Sequence, residues 1–244
     1  MKILATGIHA DDCEYGLGGT AALLCERGHE VLFVNPNPCG QVAEASEEAN
    51  AQNIRAAEIL GAKKDMSITY QTKYYQNNEE STRQLEKIIR DFKPDIVFNM
   101  HPRDNHIEHV EFARTTRDAL FAAAVDGIAP NEVYTYECGP NQSMLYFIPD
   151  LMIDVTSVEE TLTKSIKAFA QKHAQGEWLW HEKKVCANFR HHTCTYSSSD
   201  GLGEGFKILK FPERNNGFLL LDALKDFFYW NVNKMYYPRS NEIF

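Results

Sequence analysis

Short apolar runs alternate with helix-like segments along most of this chain, and this alternation limits the folds that the chain can adopt. Residues 2–8 form an apolar run that stops at His9, residues 16–28 carry apolar side chains at helical spacing, and residues 30–35 form a second apolar run. Gly28 predicts the end of the helix between the two runs. A strand, a helix and a strand in this order predict the start of a mostly parallel sheet.

The alternation continues to about residue 172. Helices are predicted over about residues 44–60, 81–92, 107–124 and 158–172, and strands over residues 67–70, 95–99, 132–137 and 151–155. We therefore expect an α/β fold with a Rossmann-like, mostly parallel sheet and helices on both faces. The alternation of apolar runs and helix-like segments ends after residue 175. This change predicts a C-terminal loop-rich extension with one or two added strands and a helix over residues 219–230. The chain would then be a single domain over 1–244, with a core over 1–175 and the extension over 176–244.

The charge balance and the cysteines argue against several classes of protein. The 244 residues include 25 Lys and Arg against 34 Asp and Glu, for a net charge of −9, and no stretch concentrates the basic residues. A nucleic-acid partner is therefore not expected. The six cysteines form no Cys-x-x-Cys pair, and the chain opens directly on a strand, which predicts reduced thiols in the cytoplasm.

No apolar run approaches the length of about 20 residues that a membrane helix needs. We therefore expect a soluble protein whose partner is a small molecule. The unusually apolar segment 219–230 packs on the sheet or meets another subunit, so a homo-oligomer is an open expectation.

Polar side chains follow the first predicted strand directly. His9, Asp11 and Asp12 lie just past its carboxyl end. In open α/β sheets, ligands bind beyond the carboxyl ends of the strands, most often where the strand order reverses. A histidine and two carboxylates at this position predict part of a metal site.

A second polar cluster, residues 101–109 (HPRDNHIEH), follows the predicted strand 95–99 in the same way. His106 and His109 are three positions apart, so their side chains share a face if a helix begins near them. If the sheet has the common doubly wound order, the two strands are neighbours at the switch point and both clusters open into one crevice. Two distant segments would then form one site.

The residue types at this crevice suit a catalytic metal centre. Catalytic zinc usually takes three protein ligands and leaves one position open, and His9, Asp12 and His109 satisfy that count. Asp11 would remain free to act as a general base, because a metal lowers the pKa of water toward about 7 and a nearby carboxylate completes its activation. Ferrous iron also accepts two histidines and a carboxylate, so the ligand types do not exclude it.

These two clusters resemble the motifs of the LmbE-like superfamily of zinc-dependent de-N-acetylases, which includes the PIG-L enzymes. That family carries His-Pro-Asp-Asp after its first strand and His-Pro-x-Asp-x-His-x-Asp-His after its fourth. The matches here are residues 9–12, with Ala10 in place of Pro, and residues 101–109, with Glu108 in place of Asp. Weaker matches at 93–97, Gln175 and 203–206 extend the resemblance over about residues 1–210.

The resemblance implies an activity and a role for each matched residue. It implies removal of an N-acetyl group from an amino sugar or an acetylglucosaminyl conjugate, with zinc as the cofactor. His9, Asp12 and His109 would be the metal ligands and Asp11 the general base. His106 would stabilise the oxyanion.

The chain departs from the family where substrate is bound. It has Asn37-Pro38-Cys39-Gly40 in place of the usual Gly-Glu loop, and it offers only Arg55 for the family's substrate-binding arginine. The substrate itself therefore stays open.

Three further features of the sequence have more than one interpretation. Asp104 either orients a ligating histidine or caps a loop. His101 caps the strand and holds Asp104 or the loop, and we leave it outside the catalytic set. The aromatic segment 178–196 forms a second metal site, a lid that stacks on a sugar ring, or plain core packing, and we expect it to border the entrance to the site.

Two other functions compete with a deacetylase. Residues 16–21 (GLGGTA) match the G-x-G-x-x-G/A fingerprint of NAD(P)-binding Rossmann proteins. That fingerprint requires glycines directly after the strand and an acidic residue ending the second strand, whereas here seven residues intervene and the second strand ends at Asn35. A metal-binding protein without turnover would use the same ligands, and only an amine-release assay separates it from an enzyme.

Overall fold

A computed structural model describes residues 1–38, 47–70, 72, 74–139, 147–169, 175–195, 200–210 and 217–231. The strands are β1 (Lys2–Thr6), β2 (Glu30–Val34), β3 (Asn37–Pro38), β4 (Lys63–Asp65), β5 (Thr69–Tyr70), β6 (Ile96–Met100), β7 (Glu132–Tyr136), β8 (Leu151–Asp154), β9 (Gly203–Lys210) and β10 (Phe228–Trp230). The helices are α1 (Asp12–Glu26), α2 (Glu47–Ile59), α3 (Glu79–Phe92), α4 (Ile107–Val125), α5 (Glu159–Lys167), α6 (Gln175–Thr195) and α7 (Leu219–Leu224).

Eight strands form one mixed sheet in the order β10-β8-β9-β7-β6-β1-β2-β4, and β3 pairs separately with β5. Pairing is parallel from β4 to β7 and antiparallel where β9, β8 and β10 join. Helices α1, α2 and α6 each pack on α5, and α3 packs on α4, as expected for helices that cover two faces of a sheet. The predicted α/β fold with a mostly parallel sheet is confirmed.

The strand order reverses at β1. The chain builds β2 and β4 on one side of β1 and then returns to place β6 and β7 on the other. β1 and β6 are parallel neighbours, with Ile3 opposite Ile96. The segments that follow these two strands therefore lie side by side at one edge of the sheet, as predicted for the two polar clusters.

The glycines at the start of α1 allow this helix to approach the sheet closely. A Cβ on Gly16 would lie 2.1 Å from the ring of Tyr136, and one on Gly19 would lie 2.6 Å from the Cβ of Val155. Helix–sheet packing thus accounts for these two glycines of the fingerprint-like segment. Among the described residues, no helix is both long enough and apolar enough to cross a membrane.

The C-terminal part differs from the prediction. Gln175–Thr195 form one helix of 21 residues where a loop-rich region was predicted. Residues 177–195 contain neither Gly nor Pro, and aromatic and His side chains lower helix propensity only slightly, so nothing in this segment breaks a helix. The strand β9 of the predicted extension lies inside the sheet, between β7 and β8.

Two further elements correct the predicted boundaries. The helix predicted over 219–230 ends at Leu224, and the aromatic residues Phe228–Trp230 form β10, which pairs antiparallel with β8. The short strand β4 was not predicted. Residues 44–46, where the second helix was predicted to begin, lie outside the described residues.

Candidate metal centre

The two polar clusters meet beside a cleft of about 340 Å³ at the carboxyl ends of β1 and β6. The chain leaves β1 at Thr6 and enters α1 at Asp12, so His9 and Asp11 lie on the connecting loop. Helix α4 begins at Ile107, directly after His106. This arrangement brings His9, Asp11, Asp12, His106 and His109 to the wall of one cleft.

The donor atoms of His9, Asp12 and His109 have the spacing of ligands around one small ion. His9 Nδ1 lies 3.2 Å from His109 Nε2, and His109 Nε2 lies 3.5 Å from Asp12 Oδ1. The other carboxylate oxygen, Asp12 Oδ2, lies 3.5 Å from His9 Nδ1. Tetrahedral ligands about 2.1 Å from a zinc ion lie about 3.4 Å from one another, so these three residues fit such an ion.

Carboxylates behind the two histidines fix which ring nitrogens face the centre. His109 Nδ1 is paired with Asp104 Oδ2 at 3.0 Å, which leaves Nε2 for a metal. His9 Nε2 lies 3.2 Å from Glu108 Oε2, which leaves Nδ1. Carboxylate–histidine pairs of this kind orient metal ligands and raise their basicity.

Asp104 and Glu108 each hold the backbone as well. Asp104 Oδ1 accepts a hydrogen bond from the His106 backbone N–H at 2.7 Å, so this carboxylate contacts the loop before α4 as well as the His109 ring. Glu108 Oε1 accepts a hydrogen bond from the Tyr75 backbone N–H at 2.7 Å. The contact of Glu108 with His9 was not predicted, although its place between His106 and His109 on a helix start was a usable signal.

Burial and neighbouring charges separate the two adjacent aspartates. Burial would raise the pKa of Asp12, but His109 and His9 outweigh it and hold that pKa well below its usual range. Burial and the neighbouring Asp12 raise the pKa of Asp11, with His9 opposing the shift. Asp12 is thus the stable anion of the pair, and Asp11 is the carboxylate that more readily takes up a proton.

His106 lies against both ligating histidines. Its ring stacks on His109 with centroids 4.5 Å apart and meets His9 edge-on at 4.8 Å. Burial, together with His109 and His9, lowers the pKa of His106, which favours a neutral imidazole. Ring nitrogens of His9, His106 and His109 also lie within 4.8 Å of one another. By position, His106 is therefore an alternative metal ligand to Asp12.

Cys138 lies at the same centre and was not predicted. It follows the end of β7, the neighbour of β6, and its Sγ lies 3.1 Å from Asp12 Oδ1. Donor atoms of Asp12, His109 and Cys138 lie within 4.8 Å of one another. The available signal was its place just past a third strand at the same sheet edge.

Two side chains support the loop that carries His9 and Asp11. Asn35 donates from its amide nitrogen to the backbone oxygens of Gly7 and His9 at 3.1 and 2.5 Å. Lys64 Nζ donates to the backbone oxygen of Ala10 at 2.5 Å and pairs with Glu14 Oε1 at 2.7 Å. The side chains of Lys64 and Glu14 are completely buried, so this loop rests on an ion pair shielded from water.

Lys64→Met is expected to lower the free energy of unfolding by about 3–5 kcal/mol, because it leaves the buried Glu14 without its partner. Burial already raises the pKa of Glu14 to about 7 with Lys64 present. The neighbouring Lys63 pairs with Glu30 on the surface, so Lys63→Met should leave the stability nearly unchanged. Urea unfolding of both variants measures the difference. Equal losses in the two variants would show that the buried pair does not stabilise this loop.

The structure does not bring Arg55 to the cleft, which corrects the prediction that Arg55 binds substrate. Its guanidinium is exposed and lies 3.4 Å from Glu58 on the same helix. Asn50 and Asn53 of α2 line the cleft instead. Positions 50 and 53 are almost one turn apart and share a face, whereas position 55 lies on the opposite side of the helix. In the loop 37–40, which differs from the family's Gly-Glu loop, Asn37 lines the cleft. Cys39 and Gly40 lie outside the described residues.

The aromatic segment borders the cleft through its first turns. Trp178, Leu179 and Glu182 of α6 line the cleft together with Phe169. Later residues of α6 pack on β8 and β9. Tyr196, at the end of the predicted segment, lies outside the described residues.

Comparisons with known proteins agree with this arrangement. The sequence profile of the GlcNAc-PI de-N-acetylase family, PIG-L, matches residues 4–120. Diacetylchitobiose deacetylase of Thermococcus kodakarensis is 25% identical over 211 residues, which cover 73% of each chain.

Two solved structures share the fold. The 4-carboxy-2-hydroxymuconate hydratase GalB of Pseudomonas putida matches with a TM-score of 0.71 at 21% identity, over 89% of this chain and 99% of that one. The N,N'-diacetylchitobiose deacetylase of Pyrococcus horikoshii matches with a TM-score of 0.64 at 23% identity, over 85% and 83% of the two chains. The profile match contains the last three residues of β1, all of β6 and all the residues of both polar clusters. Residues 4–120, which carry both polar clusters, are therefore similar to the PIG-L, or LmbE-like, family.

Proposed function

We propose that this protein is a metal-dependent de-N-acetylase that hydrolyses the N-acetyl group of an amino sugar or an acetylglucosaminyl conjugate. The observation that carries the proposal is the convergence of His9, Asp12 and His109, with donor atoms 3.2–3.5 Å apart, beside a further carboxylate, Asp11. The PIG-L profile and the diacetylchitobiose deacetylase relative support an amide of an amino sugar as the substrate.

Zinc is the proposed metal. It suits two imidazoles and one carboxylate, and ferrous iron is the alternative for the same donor set. A divalent ion bound by these three residues supplies a Lewis acid, which lowers the pKa of water and polarises the acyl oxygen.

The residues of this chain then divide the proton transfers. The Asp11 carboxylate accepts a proton from the attacking water, which fits its raised pKa. His106 donates a hydrogen bond to the oxygen that becomes negative as the carbonyl carbon turns tetrahedral. His106 lines the cleft, and its Nδ1 is buried without a hydrogen-bond partner among the described residues. Asp11 finally returns its proton to the departing amine nitrogen, and acetate is released.

The lining of the cleft favours an uncharged sugar. Asn37, Asn50 and Asn53 place amide groups along it, and Trp178 and Phe169 supply aromatic rings. Amides suit sugar hydroxyl groups, and apolar sugar faces pack on aromatic rings. No Lys or Arg belongs to the described lining.

A hydratase is the second candidate function, because the GalB hydratase has this fold over 99% of its length. A substrate with several carboxylates, as the name of that enzyme's substrate implies, requires cationic partners in the site. Apart from the proposed metal ion, the described lining offers no Lys or Arg to bind the further carboxylates, which favours the deacetylase. A metal-binding protein without turnover has the same ligand set. Only a measurement of activity distinguishes it from a deacetylase.

The site of action that we propose is the cytoplasm. Five of the six cysteines lie in the described part of the chain, and all five are free. Free buried thiols are expected in a reducing compartment.

A screen for amine release tests the proposed function. Metal-loaded protein is incubated with a panel of N-acetylated sugars and conjugates, with His109→Ala prepared in parallel as a control for contaminating deacetylases. Release of amine and acetate in equal amounts by the wild type alone supports a deacetylase. Hydration of an unsaturated carboxylate without any amine release would identify the hydratase instead. If neither amine release nor hydration occurs, the protein is a metal-binding protein without turnover.

Trp178→Ala is expected to raise KM for the active sugar by about two- to tenfold, because stacking on one aromatic ring contributes about 0.5–1.5 kcal/mol. Trp178 is 56% exposed at the cleft. Trp230, on the edge strand β10, is similarly exposed but does not line the cleft, so Trp230→Ala is the matched control. An unchanged KM in Trp178→Ala would remove this residue from the substrate site.

A further inference from the structure

Cys138 contacts the candidate metal centre through one oxygen of Asp12. The thiol is buried, lines the cleft, and lies 3.1 Å from Asp12 Oδ1. It reaches the centre from β7, a third strand besides the two that carry the motifs. None of the roles assigned so far uses this contact.

The other oxygen of Asp12 is held by a different donor. Asp12 Oδ2 accepts the backbone N–H of His9 at 2.7 Å. Besides the two histidines of the centre, each carboxylate oxygen of Asp12 therefore has a further donor, a backbone amide on Oδ2 and a thiol on Oδ1. Two donors on opposite oxygens fix the rotation of the carboxylate plane, which a single hydrogen bond would leave free.

We propose that Cys138 is a positioning residue, whose S–H group donates to Asp12 Oδ1 and holds the carboxylate in the orientation that binds metal. The inference rests on the proposed function, because it takes Asp12 as a ligand. Groups that hydrogen-bond to ligating carboxylates typically contribute 10- to 100-fold in metal affinity.

The chemistry of a thiol suits this position. An S–H group is a weak donor, so it orients Asp12 without withdrawing much of the negative charge that the metal requires. A Lys or Arg at the same place would compete with the cation for that charge. The alternative role, a thiolate bound directly to the metal, would add a fourth protein ligand and close the position that water needs.

Cobalt binding separates these roles from a merely structural one. Cys138→Ala removes the donor, and Cys138→Ser restores one as a hydroxyl. Cys194→Ala is the control, because Cys194 is equally buried on α6 but does not line the cleft. Affinity for Co²⁺ is measured by competition with a chromophoric chelator at fixed pH, and thermal unfolding shows that each variant is folded.

We expect Cys138→Ala to bind Co²⁺ about 10- to 100-fold more weakly than the wild type. Cys138→Ser should recover most of that loss, and Cys194→Ala should lose none. The Co²⁺ spectrum of the wild type should lack a sulfur-to-cobalt charge-transfer band in the near ultraviolet.

Two results would overturn the proposal. Wild-type affinity in Cys138→Ala would show that the thiol does not position Asp12, and a charge-transfer band that disappears in Cys138→Ser would show that the thiolate is itself a ligand. Failure of the metal centre as a whole would look different, because the wild type would then bind Co²⁺ no better than His109→Ala.

Discussion

His109→Ala should lose most of the metal that the wild-type protein holds, and its turnover should fall with the metal. The ring of His109 is buried at 1% exposure, and its two nitrogens face Asp104 on one side and the centre on the other. Alanine removes one of three donors and leaves Asp12 and His9 to hold the ion alone. Elemental analysis of protein purified under identical conditions measures the loss.

His106→Ala is the matched control for that experiment. It removes a histidine from the same motif, but we place His106 at the oxyanion, so this variant should keep about one ion per chain and lose turnover. If His109→Ala kept its metal and His106→Ala lost it, His106 would be the metal ligand and His109 the residue at the oxyanion. The mutual distances of His9, His106 and His109 make that outcome a real alternative.

Asp11→Asn should keep its metal and lose a factor of about 100 to 10,000 in kcat, the usual contribution of a general base. An amide at position 11 can still accept a hydrogen bond from water, but it cannot take the proton. Because the substrate contacts stay in place, the loss should appear in kcat more than in KM.

Asp12→Asn should weaken metal binding and turnover together. The carboxylate of Asp12 carries the negative charge beside His9 and His109, and a neutral amide is a weaker ligand for a dication. Comparing metal content with turnover in the two variants therefore separates base from ligand. Normal turnover in Asp11→Asn, or metal loss in Asp11→Asn alone, would contradict the division of roles.

The core of the fold could be predicted because its central strands are almost entirely buried and therefore apolar. The strands β1 and β6 lie where the sequence has short apolar runs, and the chemistry beyond them followed from the rule that ligands bind at a switch point. The strand β4 was not predicted, because its three residues, Lys63–Asp65, are all charged. Its pairing with β2 comes from sheet extension, which no local apolar pattern encodes.

The parts of the site that were not predicted depend on tertiary packing. Arg55 was chosen as an arginine in the expected helix, but the rotation of α2 decides which side chains face the cleft, and that rotation turns Asn50 and Asn53 inward. Cys138 reads in sequence as an isolated thiol, and its contact with Asp12 exists only because β7 lies beside β6. A polar residue just past a strand that neighbours a known site is the signal that would have found it.

Returning metal to chelated protein tests the central claim most directly. Protein stripped with a chelator is titrated with zinc, and amine release from the active sugar is measured against metal content at each step. We expect negligible turnover without metal and a linear rise that levels off at about one ion per chain, because the described donors of the candidate centre converge on one position. Full turnover in the stripped protein, or a metal-loaded protein that releases no amine from any N-acetylated sugar, would contradict it.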